Sequence, residues 1–271
     1  MREHLEHTPA GNRRETLLLT LCALFIGFFV TADLMGAKLW HFTIFGLRPR
    51  HLGLGGDEFI ATVGIIAFPA TFILTDIINE YFGRRVVIRL TVIAIAVLLV
   101  LQPVVQAAVS APTISFTEGV SSETMDQAYR IVLGPAWAIV IGSTVAFLIG
   151  QLLDIGVFTW LRRRTGSRML WLRAQGSTVV SQLIDSFVVI FVAFVIYPHV
   201  AGALGDDRAT ASAWGAGAAA KVSFTNYVIK FIEAVALTPV LYLVHLGIDR
   251  WLGKSEAADL VARAHPADPV A

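Results

Sequence analysis

The sequence is poor in charge and almost without cysteine. Asp, Glu, Lys and Arg make up 15% of its 271 residues, the formal net charge is +1, and 56% of residues are hydrophobic. One soluble core cannot hide that much apolar surface, whereas a lipid bilayer solvates it. The near-zero net charge gives no basic surface for nucleic acid, which is not expected as a partner. The lone Cys22 lies in an apolar run. It excludes an intrachain disulfide and reads as a packing thiol. HExxH, GxSxG and GxxxxGK[ST] are all missing. The usual signals of zinc, serine-nucleophile and P-loop chemistry are therefore absent, and no cofactor is expected. The short connections leave no room for an ATPase domain.

What is present in quantity is long apolar runs. A span needs about 20 mostly apolar residues. Six stretches qualify: 16–37, 59–81, 86–109, 133–160, 176–197 and 222–248. The first exceeds the roughly 7–15 residues of a signal-peptide core and reads as an uncleaved span. The expected fold is all-α and polytopic, with six transmembrane helices in residues 16–250. Residues 1–15 and 251–271 are read as cytoplasmic tails, the second polar and frayed beyond Trp251. Residues 110–130 and 198–221 read as loops. Fourteen Lys and Arg fall on the side of the termini and six on the other, with Lys230 inside the last span. Both termini are thus expected in the cytoplasm, in a multi-pass protein of the bacterial inner membrane. Ala138, Gly142, Ala146 and Gly150 share one helix face, which suits close packing inside the monomer, with a homodimer face as the alternative.

Polar residues recur inside four of these spans, where a charge costs about 2.5–3.5 kcal/mol on insertion scales. Phe68, Phe72, Asp76 and Glu80 form one stripe, with Asn79 beside them. Phe147, Gln151, Asp154 and Phe158 form a second; Thr178, Gln182 and Asp185, with Ser181 alongside, form a third. Asn226, Lys230 and Glu233, with Tyr227 and Phe231 adjacent, form the fourth. Residues three or four apart on a helix point the same way, so the stripes are able to converge on one cavity. Asp33 lies near the outer end of the first span, as a cavity residue or a solvated helix end. Pro69 and Pro239 fall within predicted spans, where proline breaks the helix and frees carbonyls.

Carboxylates, amides and aromatic rings together suit a planar heterocycle with several N–H donors. A carboxylate accepts two parallel hydrogen bonds from a guanine-type edge, rings stack on its face, and amides read what is left. The same carboxylates are equally able to bind cations or carry protons. The segments 68–83 (FPATFILTDIINEYFG), 150–158 (GQLLDIGVF), 177–187 (STVVSQLIDSF) and 226–230 (NYVIK) resemble the queuosine precursor transporter family, also called the vitamin uptake transporter family. The resemblance runs from the first span to the sixth. It implies import of a nucleobase-like 7-deazaguanine, such as 7-cyano-7-deazaguanine, for queuosine synthesis in tRNA. Carried over by matching motif, it marks Asp76, Gln151, Asp154, Asp185 and Lys230. Many members carry Asn in the first span where this chain has Asp33. Two alternatives stay open: a substrate-binding membrane subunit that needs an energising partner, and an intramembrane enzyme with paired aspartates on Mg²⁺.

Overall fold

A computed structural model describes residues 9–264 apart from 44–45, 47, 53–56, 115–118, 135–136, 147–148, 151–159, 161–169 and 206–212. Among the described residues, long helices dominate: α1 (Pro9–Met35), α2 (Phe68–Phe82), α3 (Arg84–Ser110), α4 (Ser122–Leu133), α5 (137–146), α6 (Leu170–Phe191), α7 (Tyr197–Ala203), α8 (Ala216–Leu252) and α9 (Lys254–Ala264). Among the described residues, four helical stretches are long and apolar enough to cross a membrane: Arg13–Met35, Arg84–Ser110, Ser122–Ala146 and Val179–Ala203. Counting α8 as one bent span makes five. Large apolar side chains such as Val92, Ile93, Val100 and Val104 on α3 stand exposed, as a lipid-facing surface requires.

The region 59–81 is not one spanning helix. It opens with a strand, β2 (Phe59–Thr62), which pairs antiparallel with β1 (Leu39–Phe42), Trp40 opposite Ala61 and Phe42 opposite Phe59. A 3₁₀ turn over Val63–Ile66 follows, and only then the 15-residue α2. The cause is Pro69. It sits in the first turn of α2, where its missing N–H costs nothing, rather than breaking the middle of a span. Pro239 does act as expected: α8 bends by 44° between Leu237 and Pro239.

Two expected loops are partly helical. Residues 122–133 form α4, capped by the Ser121 hydroxyl, which accepts from the Thr124 amide at 3.1 Å. Residues 197–203 form α7, and α8 starts at Ala216, ahead of the expected 222. The C-terminal segment is a helix too. Its polar composition conceals an apolar stripe at Ala257, Leu260 and Val261, and the first two are buried. Gly253, at φ +94°, takes the left-handed conformation that ends α8, its N–H donating to the Asp249 carbonyl at 3.0 Å.

The chain divides into two compact units. The first comprises residues 1–31, 67–96 and 233–271. Its core takes Leu17, Leu21 and Phe25 from α1, Ile77, Ile78 and Tyr81 from α2, Leu90 from α3, Ile248 and Leu252 from α8, and Leu260 from α9. The second comprises residues 32–66 and 97–232. There Ala138 and Ile139 of α5 pack with Ile190, Ala193 and Phe194 and with Ala219 and Val222 of α8. The hairpin face bearing Ala61, Trp40 and Phe42 packs on Ile65 and on Ile229 of α8.

Candidate functional site

The second unit holds a buried ion pair. Lys230 Nζ donates to Asp185 Oδ2 at 2.6 Å, joining α8 to α6 across 45 residues. The lysine side chain is 7% exposed and the aspartate 26%, so the pair is screened little. Asp33, buried near the end of α1, accepts a hydrogen bond from Ser143 of α5 and lies within electrostatic reach of both Asp185 and Lys230. Four helices thus contribute charged or hydroxyl groups to one neighbourhood.

Close backbone packing holds these helices together. A Cβ on Gly142, next to Ser143, would stand 2.8 Å from the Val189 carbonyl oxygen of α6. A Cβ on Gly64 would stand 2.4 Å from the carbonyl oxygen of Ala32, next to Asp33. Only glycine fits either place. Of the small-residue face, Ala138 and Gly142 serve packing inside the chain, and no described residue meets a Cβ on Gly150.

Several buried polar atoms in this unit have no hydrogen-bond partner among the described residues: Asp33 Oδ2, Trp40 Nε1, Gln182 Oε1, Ser186 Oγ and Asn226 Oδ1. Gln182 and Ser186 flank Asp185 on α6, and Asn226 is one turn before Lys230 on α8. Gln102 of α3 is fully buried with both amide atoms unpaired, and Gln106 Nε2 and Thr144 Oγ1 are unpaired as well. Each such atom costs about 1–3 kcal/mol, a cost relieved when water or a ligand supplies the partner. These atoms are closed off from solvent, so a ligand reaches them only when the helices part. Beside Ile229, the Trp40 and Phe42 rings stack with centroids 4.3 Å apart, putting flat aromatic surface one residue from Lys230.

Of the site residues expected from sequence, Asp185 and Lys230 meet directly, and Gln182 and Asn226 stand within one turn of them on the same helices. Tyr227 is half-buried, its ring tilted against Phe224. Glu233, one turn beyond Lys230, is also half-buried. Phe72 stacks on Phe68 in the first unit, and Asp76 is exposed on the same helix. Gln151 and Asp154 lie outside the described residues. Sequence reasoning missed Ser143, Ser186, Trp40 and Gln102. Gln102 and Gln106, four apart in an apolar span, were a readable signal; Ser143, 110 residues from Asp33, left none. Among the described residues no group of three or more His, Cys, Asp or Glu is arranged to hold a metal ion.

Membrane-length helices around a buried charge pair fit a multi-pass membrane protein, and the family and relatives that the chain matches are named as transporters, not enzymes. The family described as "Putative vitamin uptake transporter" matches residues 62–244, and the chain belongs to that family. It is 32% identical over 184 residues to a "Probable queuosine precursor transporter" of Bacillus subtilis, covering 67% of this chain and 70% of that protein. It is 26% identical over 203 residues to a protein of the same description from Haemophilus influenzae, covering 74% of this chain and 76% of that one. No solved structure matches the chain significantly.

Proposed function

We propose that this transporter imports a queuosine precursor, 7-cyano-7-deazaguanine or a related 7-deazaguanine, across the bacterial inner membrane. The observation that carries the reading is the Asp185–Lys230 pair set among unpaired amide and hydroxyl groups. The names of the two bacterial relatives supply the substrate class.

In this reading the helices part and the substrate exchanges for the contacts the site makes with itself. A carboxylate, Asp185 or Glu233, accepts from the N1–H and exocyclic amine of the base. Lys230 balances that charge or donates to the ring carbonyl. Gln182 and Asn226 read the remaining edge, with Tyr227 as a stacking ring. Asp76, Gln151 and Asp154 serve the cytoplasmic exit or proton movement. A neutral substrate needs no charge compensation, so the pair re-forms unchanged after release.

The test uses a bacterium that neither makes 7-cyano-7-deazaguanine nor has its own importer. Expressing this chain and feeding trace precursor restores queuosine in tRNA. The Asp185→Asn variant, at equal membrane abundance, restores at most a tenth as much, the loss of about 1.4 kcal/mol of binding. Full restoration by that variant removes Asp185 from the site. Failure of the native chain, folded in the membrane, rejects the substrate.

A further inference from the structure

The first unit carries a recess with no role in the proposed transport. It is a cavity of about 440 Å³ between the start of α1, the end of α2, the start of α3 and the end of α9. Arg14 from α1 and Arg263 from α9 line it, over an apolar wall that includes Leu18, Val86 and Leu260. We propose that this cavity binds the phosphate headgroup of an anionic phospholipid, with an acyl chain running along its apolar wall.

The apolar span of α1 begins at Arg13, and that of α3 begins at Arg84. The cavity therefore lies where two spans leave the hydrocarbon, at headgroup depth. Arg14 makes no ion pair among the described residues. Arg263 pairs with Asp259 on its own helix at 2.8 Å, but both are more than half exposed, and such a pair is worth little. Arg85 is exposed just before Val86, adding positive potential. Glu15, the one acidic residue among the described residues that line the cavity, sets a local limit on it. A soluble anion needs only the guanidinium groups, whereas aliphatic wall and cation together match a lipid with its chain attached. Tyr81 also lines the cavity, its hydroxyl engaged with Asp249 at 2.6 Å, and so offers its ring.

Native mass spectrometry on the detergent-purified full chain tests this, titrating phosphatidylglycerol against phosphatidylcholine of the same acyl composition, with inorganic phosphate as competitor. One phosphatidylglycerol binds per chain ahead of phosphatidylcholine, and millimolar phosphate does not displace it. Arg14→Gln/Arg263→Gln weakens that binding about tenfold or more, and each single variant by less. Arg48→Gln, whose parent residue pairs with Asp57 in the other unit, leaves it unchanged. An unchanged melting temperature in phosphatidylcholine checks that the double variant is folded, and Arg14→Lys, which keeps charge but loses the fork, gives an intermediate affinity. Equal binding of both lipids, or an undiminished preference in the double variant, overturns the proposal. Displacement by phosphate overturns it in favour of a soluble-anion site.

Discussion

Lys230 is a full charge on a side chain 7% exposed, and Asp185 is what makes that tolerable. Removing one member of such a pair costs about 3–5 kcal/mol, because the other stays buried and uncompensated. Lys230→Met should lower unfolding stability in detergent toward the lower end of that range, since Asp185 keeps a quarter of its exposure. The double variant Lys230→Met/Asp185→Leu should recover most of the loss. A double-variant loss equal to the sum of the two single losses would mean the pair is not coupled. Gln102 gives the opposite sign. Its amide is fully buried with neither atom paired, so Gln102→Leu should raise stability by about 1–3 kcal/mol. A drop in melting temperature would show that the amide has a partner. The residues legible from sequence were those that break an apolar helix at regular spacing: Gln182, Asp185, Asn226 and Lys230. Asp33 was ambiguous, because the Ser143 that satisfies one of its oxygens comes from a helix far along the chain.

At the scale of elements, hydropathy finds apolar length but not backbone conformation. Residues 59–81 have the composition of a span, yet a 15-residue helix reaches only about 22 Å, short of the roughly 30 Å hydrocarbon core. The preceding strand and 3₁₀ turn are buried in protein at Phe59, Ala61, Val63 and Ile65, the condition under which non-helical backbone persists in a membrane protein. The opposite error concerned α9, where low mean hydropathy hid a narrow buried stripe. Truncation after Leu252 removes the burial of Ala257 and Leu260 and should cost roughly 2–4 kcal/mol, read as a lower midpoint of thermal unfolding in detergent. An unchanged midpoint would mean α9 packs too loosely to matter.

For the whole molecule, family membership and helical content were legible, while the crossing count rests on segments of differing character. Among the described residues four stretches qualify by themselves and α8 makes a fifth, while region 59–81, expected from sequence as a further span, is a strand followed by a short helix. We propose six crossings, which with the Lys/Arg distribution place both ends of the chain in the cytoplasm. A fluorescent reporter fused at the C-terminus should be bright, and alkaline phosphatase fused at Gly119 should be active, as expected outside the cytoplasm. An inactive phosphatase at Gly119 with an inactive fusion at Arg85 would demand a different count. One more feature bears on how this chain lines up with its relatives. Between α6 and α7, residues Val192–Ile196 form a π turn, in which the Tyr197 N–H reaches back five residues to the Val192 carbonyl. Such a turn absorbs one residue beyond ordinary α-helical spacing, which otherwise advances about 100° per residue. A relative with one residue fewer here keeps every side chain after it on the same face by winding the turn as plain α-helix, so a single-position gap at this point leaves the partners of α7 unaltered.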